Sequence, residues 1–247
     1  MKKISLTAAL VLGAVLFGSC LDFFTNSLGT DLRRDPGTIT VTSTNVTALL
    51  KESRGDPEAS RGILDKIAAQ LKNNPNPDPT LQAAAVTAAN QGAGLGELVL
   101  GNISTVLEND DKDGDINDVK FNDLLKEVEI EAKKNDIKGV SDQVTASLKA
   151  AVTTDGSGVP ALKPEFTAGV SDSDLLLLGL TLVMAEAEKG GGVNDYLESW
   201  GTGGKTLDAT DTTSWSDSER LIAAIGNQLS TTDTEIGKAL KDLLGGD

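Results

Sequence analysis

Histidine is absent from this chain of 247 residues, and cysteine occurs once, at Cys20. These absences exclude an intramolecular disulfide, a Cys-His or Ser-His-Asp catalytic site, and most zinc or iron sites. Catalysis would have to rely on carboxylate, lysine, tyrosine or Ser-Lys chemistry, and no spacing singles out two acids that face each other. We therefore expect a protein that is not an enzyme, with carboxylate-based catalysis as the alternative.

Aromatic and basic residues are also scarce. Phe, Trp and Tyr together make up 3% of the chain, so its core has to be built mainly from Leu, Ile, Val and Ala. Asp and Glu number 37 against 22 Lys and Arg, which gives a formal net charge of −15. Because such a surface repels phosphate backbones, nucleic acid is not an expected partner.

The first nineteen residues have the order of a secretion signal. Lys2 and Lys3 give a positive start, residues 4–17 are almost continuously apolar, and two small residues precede Cys20. The apolar run is shorter than the roughly 20 residues that a membrane-spanning helix needs. This order favours a cleaved signal peptide.

Small residues followed at once by Cys20 resemble a bacterial lipobox. Phe17 stands where most lipoboxes have leucine, which resembles the looser lipoboxes of spirochaete lipoproteins. The resemblance implies cleavage before Cys20, attachment of acyl chains such as palmitate to its sulfur, and a lipoprotein held on a membrane by those chains. The alternative is an ordinary secretory signal. The periplasmic and cell-surface faces, and the inner and outer membranes, all stay open.

We expect three parts: a signal peptide over 1–19, lipidated Cys20 and a tether over 20–43, and a single domain over 44–247. Apolar residues recur with the helical period along the third part. They predict an all-α, multi-helix globular bundle of roughly eight to ten helices. The capping-box spacing of Ser216 and Glu219 marks the start of one of these helices.

Three further segments carry local predictions. Asp56-Pro57 is typical of a helix start, with the acid as N-cap and proline at the first helical position. The run Leu175–Met184 is apolar on every side, so we expect a buried central helix, capped by Asp172 or Ser173. The stretch Thr153–Pro164 contains glycines and prolines and is expected to be a loop.

An acidic stretch between two helical segments resembles the calcium loop of EF-hands, with Gly114 at its sixth position. Lys120 stands where that loop has a bidentate Glu, so the resemblance implies a weak structural Ca²⁺ site. A solvated acidic turn between helices is the alternative. The candidate ligands are Asn109, Asp111, Asp113, Asp115 and Asn117.

Two other features are candidates for binding. Residues 55–92 resemble a single tetratricopeptide-type helix pair, although any α-hairpin with a Pro-Asn turn has the same layout and no second copy is visible. Tyr196, Trp200 and Trp215 hold most of the aromatic mass of the body. They either line a ligand cleft or, as we favour, pack into a hydrophobic corner of the core.

Together these features predict a lipoprotein of the cell envelope with a binding or scaffold role. Its expected partners are the membrane, through the acyl chains on Cys20, and an envelope protein. A transporter-associated helical-repeat subunit and a carboxylate enzyme are the alternatives. A concave groove would favour the helical-repeat subunit, a pocket with paired acids the enzyme, and a convex bundle the scaffold.

Overall fold

The computed structural model describes residues 39–72, 74, 76–99, 118–200, 205–207 and 209–231. Within them the fold is dominated by helices, which confirms the all-α, multi-helix prediction. The helices are α1 (Val46–Glu52), α2 (Pro57–Leu71), α3 (Pro79–Ala93), α4 (Asp118–Lys134), α5 (Ile137–Leu148), α6 (Pro164–Thr167), α7 (Asp172–Gly190), α8 (Val193–Ser199) and α9 (Asp217–Ser230). The signal peptide, Cys20 and the acidic loop lie outside the described residues.

Helices α2, α3, α7 and α9 each begin with a side chain that caps the first turn. The carboxylate of Asp56 accepts a hydrogen bond from the Ala59 N–H at 3.1 Å, as predicted for α2. Ser216 and Glu219 form the predicted reciprocal capping box at the start of α9. The caps predicted for α7, Asp172 or Ser173, were wrong. The N-cap is Ser171, whose hydroxyl accepts a hydrogen bond from the Asp174 N–H at 3.1 Å. Each cap satisfies a backbone donor that the helix itself leaves unpaired.

Helix α7 is the buried centre of the fold, as its sequence predicts. Every residue from Leu175 to Met184 is buried. Its neighbours are α3, α5, α8 and α9, which surround it and explain why no side of this helix is polar along that stretch.

Helices α2 and α3 pack against each other, and the end of α3 is closed by side chains from α2 and from the turn after α4. Gly94 adopts a left-handed conformation with φ of 68° and ends α3. The Arg61 guanidinium donates to the carbonyl oxygens of Gly92 at 3.3 Å and Asn135 at 2.8 Å. The Asn135 amide donates to the Ala93 carbonyl at 3.1 Å. Carbonyls that α3 leaves unpaired at its end are thereby satisfied.

The segment expected to be a loop after Thr153 forms a β-hairpin, so that prediction was wrong. Strand β1 (Val152–Thr154) pairs antiparallel with β2 (Pro160–Leu162). The Asp155 carboxylate stabilises the turn, because it accepts from the backbone N–H groups of Ser157 at 2.8 Å and Val159 at 3.0 Å.

The folded body extends to residues before position 44, where the sequence places its start. Val41 is buried in the core. Its carbonyl oxygen accepts a hydrogen bond from the Gln70 amide of α2 at 2.9 Å. The last residues assigned to the tether are therefore packed against the bundle. Among the described helices, none combines the length and apolar character required to cross a bilayer.

Candidate functional site

An open groove of about 1270 Å³ runs along one face of α3. One wall is α1 and the turn after it, which is joined to α3 by a 3.2 Å hydrogen bond between Ser53 and Gln91. The other wall is α6 and the first turns of α7, which contact α3 through Gly169 and through a 3.0 Å hydrogen bond from Asn90 to the Asp174 carbonyl. The groove is thus a gap between two walls that both rest on α3.

The floor of the groove is a stripe of mostly small side chains. They recur with the spacing of successive helical turns, so they lie on one face of α3. Because alanine favours the helix and projects only a methyl group, this face forms a stable helix and still leaves space above it. The floor residues are Thr80, Ala83, Ala84, Thr87, Asn90, Gln91 and Gly94.

The two walls carry charges of opposite sign. Lys51 and Arg54 are exposed on the α1 wall, and within the described part of the chain neither has an ion-pair partner. Glu165 and Asp174 lie on the opposite wall, and Glu97 joins the lining just beyond α3. A ligand in the groove therefore meets a cationic side and an anionic side.

Two adjacent side-chain amides stand where the floor meets the walls. Asn90 is 8% exposed, and its amide nitrogen donates to the Asp174 carbonyl. Its side-chain oxygen is buried and has no hydrogen-bond partner among the residues that the structure describes. The oxygen of Gln91 accepts from the hydroxyls of Ser53 at 3.2 Å and Ser60 at 3.1 Å, and among the described residues its nitrogen has no acceptor. The groove lining thus includes one unpaired amide acceptor, on Asn90, and one amide donor, on Gln91.

The hydroxyls that hold Gln91 also fix the α1 wall. Ser53 and Ser60 are buried, and their oxygens lie 3.1 Å apart. With Gln91 they connect the end of α1, the start of α2 and the end of α3. This polar contact orients the Gln91 nitrogen relative to the charged wall.

The candidate calcium ligands Asn109, Asp111, Asp113, Asp115 and Asn117 are all outside the described residues, so the proposed calcium site remains a prediction. In the ranges that the structure describes, no three acidic or cysteine side chains are grouped closely enough to hold a metal ion. The lipidation site Cys20 is likewise outside these ranges.

The aromatic side chains form a packed cluster, as we favoured from the sequence. Tyr196, Trp200 and Trp215 are all buried. The Trp200 and Trp215 ring centroids are 5.3 Å apart and nearly perpendicular, and those of Tyr196 and Trp200 are 6.4 Å apart. Burial raises the pKa of the Tyr196 hydroxyl, so that it stays neutral.

A cation and an acid close this aromatic cluster on one side. The Lys205 ammonium lies 5.8 Å from the centre of the Tyr196 ring and pairs with the Glu219 carboxylate. Burial opposes ionisation of Glu219, but hydrogen bonds from Lys205 and from the Ser216 N–H hold its pKa below the usual range. The cluster is held together from within and belongs to the core.

The spacing of small residues in α3 is a sequence feature of the groove, but a search for catalytic motifs does not detect it. The small residues of α3 are spaced for one helical face, but helix packing and an open floor produce the same pattern. The walls come from segments more than one hundred residues apart in sequence, around Lys51 and Glu165, so only the tertiary structure brings them together. Comparisons of the chain with models of protein families, with curated proteins and with solved structures found no match.

Proposed function

We propose that this chain is a lipid-anchored binding protein of a bacterial envelope. Acyl chains on Cys20 hold it on a membrane, and the groove beside α3 takes up part of an envelope partner. The groove is the observation that carries the binding role, because it combines opposite charges on its walls with unused hydrogen-bonding groups on its floor.

The anchor rests on the sequence around the single cysteine. A positive start, an apolar run and small residues lead directly to Cys20, in the order that signal cleavage and lipidation require. One acyl chain binds a membrane only marginally, whereas two or more anchor a protein stably. The two or three chains of a bacterial lipoprotein are therefore sufficient without a membrane-spanning helix.

The groove also bears on the alternative roles. A scaffold that binds only through a convex surface does not require a groove with charged walls. A transporter-associated helical-repeat subunit remains a second candidate, because it too binds through a concave face. We favour the more general binding role, because the sequence of α2 and α3 has the layout of one such repeat and no second copy is visible in the sequence.

The anchor is tested with Cys20→Ala in the full chain. We expect acyl labelling to disappear and the protein to move from the membrane fraction to the soluble fraction, because the acyl chains have lost their attachment site. The unchanged chain, labelled in parallel, is the control. A Cys20→Ala chain that stays entirely with membranes would show that the apolar segment is an uncleaved anchor.

The binding role is tested by photo-crosslinking in intact cells. A photoreactive amino acid replaces Thr80, which is exposed in the groove, and in a matched variant it replaces Ile130, which is exposed on α4. We expect a discrete crosslinked partner from position 80 and none of that mass from position 130. The same products from both positions, or none from position 80, would contradict a binding groove.

A further inference from the structure

We propose that the groove binds an extended peptide segment in which acidic and basic side chains alternate. The inference rests on the proposed binding function and specifies the chemistry of its ligand. It follows from the two amides on the floor, the opposite charges of the walls and the dimensions of the stripe between them.

The amides match the backbone of an extended chain. In such a chain the N–H and C=O of one residue point to the same side, and those of the next residue point to the other. The unpartnered Asn90 oxygen accepts an N–H, and the free Gln91 nitrogen donates to a C=O. As consecutive residues of α3, they are separated by about 100° around the helix axis. A backbone N–H of the ligand is thus the partner for Asn90, and a backbone C=O is the partner for Gln91.

An extended backbone is favoured over a helical one by the same groups. The backbone groups of a helix are paired within the helix, so a docked helix would leave the Asn90 oxygen without a backbone donor. A buried acceptor without a partner is unfavourable, and a ligand N–H at this place removes that penalty. The amide is more than nine-tenths buried, so it is a built part of the groove.

The charges of the walls then select the side chains. When the N–H and C=O of alternate residues face the floor, successive side chains point toward opposite walls. Side chains on one side meet Lys51 and Arg54, and those on the other side meet Glu165 and Asp174. Acidic residues are favoured on the first side and basic residues on the second, so the two types alternate along the ligand.

The dimensions of the groove fit a peptide better than a small molecule. The stripe from Thr80 to Gly94 extends over about 21 Å at 1.5 Å per helical residue. About six residues of extended chain cover this length at roughly 3.3 Å each. The groove volume of about 1270 Å³ is above the range of about 300–1000 Å³ that is usual for drug-sized ligands.

Fluorescence anisotropy with labelled ten-residue peptides and the full chain in detergent tests the proposal. The probe has strictly alternating Glu and Lys, and a comparison peptide has the same composition in one acidic and one basic block. We expect the alternating peptide to bind with a Kd at least about tenfold lower than the block peptide. An all-Lys peptide measures attraction to the acidic surface alone, and a tighter Kd for it than for the alternating peptide would overturn the proposal.

Two pairs of charge reversals, one inside and one outside the groove, test whether the peptide binds in the groove. Lys51→Glu with Arg54→Glu should raise the Kd of the alternating peptide at least about tenfold, because both cations of one wall are reversed. Lys72→Glu with Lys138→Glu changes the net charge equally at exposed sites outside the groove, and should leave the Kd within about twofold. Equal effects of the two pairs would show binding to overall charge and overturn the assignment.

Asn90→Leu tests the amide separately, with its melting temperature measured in parallel. We expect the folded variant to bind the alternating peptide with a Kd at least severalfold higher, because a backbone N–H of the peptide loses its acceptor; an unchanged Kd would remove Asn90 from the proposal. If this variant does not fold, the two charge-reversal pairs still decide the result. Crosslinking from position 80 without any preference among peptides would leave the binding function standing and reject the extended-peptide ligand.

Discussion

At the scale of single residues, the lack of a side chain at Gly94 determines where α3 ends and where the floor of the groove ends. Its φ of 68° lies in the left-handed region. A Cβ built there would lie 2.8 Å from the Asn135 amide nitrogen, which is bonded to the Ala93 carbonyl. Glycine therefore lets α3 end beside Asn135, and the floor of the groove stops at the same point.

Gly94→Ala is expected to lower the free energy of unfolding by about 1–3 kcal/mol, since it combines left-handed strain with displacement of Asn135. Urea denaturation of the full chain in detergent measures the difference. Gly156→Ala is the matched control, because Gly156 does not have a left-handed φ and no atom of the described residues lies within 4 Å of an added Cβ. A loss no greater than that of the control would mean that neither the conformation nor Asn135 constrains position 94.

At the scale of elements, local sequence decides several helix starts, and tertiary contacts decide other features of the fold. Asp56 and Ser216 act within their own first turns, so their roles could be predicted from spacing alone. The hairpin of β1 and β2 could not, because it depends on the Asp155 turn and on the Asn227 amide of α9, which donates to the Pro160 carbonyl at 2.9 Å. The groove escaped prediction for the same reason, since its walls are distant in sequence.

Helix α7 gives the sharpest test at this scale. Leu178→Asp should lower the free energy of unfolding by more than about 4 kcal/mol, or prevent folding, because it removes a buried side chain and buries an unpaired charge. Circular dichroism during thermal unfolding measures this loss. Glu188→Asp introduces the same residue at an exposed position of α7 and should melt close to the parent. A folded Leu178→Asp variant with the parent melting temperature would mean that this side of α7 is a surface.

At the scale of the whole molecule, the charge of −15 governs how it responds to ions. Self-repulsion among the 37 acids weakens the compact state, and any salt relieves part of it by screening. This general effect has to be separated from binding at a particular place. Lys51 and Arg54 on the groove wall form a local cationic patch, opposite in sign to the net charge of the chain.

For that reason, the calcium prediction is tested through the melting temperature of the whole molecule in different salts. If Asn109, Asp111 and Asp113 bind Ca²⁺, millimolar Ca²⁺ should raise the melting temperature more than NaCl at equal ionic strength, because a ligand that binds only the folded chain stabilises it by mass action. Mg²⁺ should have a smaller effect, because it requires a tighter octahedral shell. Asp111→Ala with Asp113→Ala should abolish the difference between the cations. A shift that is equal in all three salts, or that survives the double substitution, would identify the stretch as a charged turn whose acids respond only to screening.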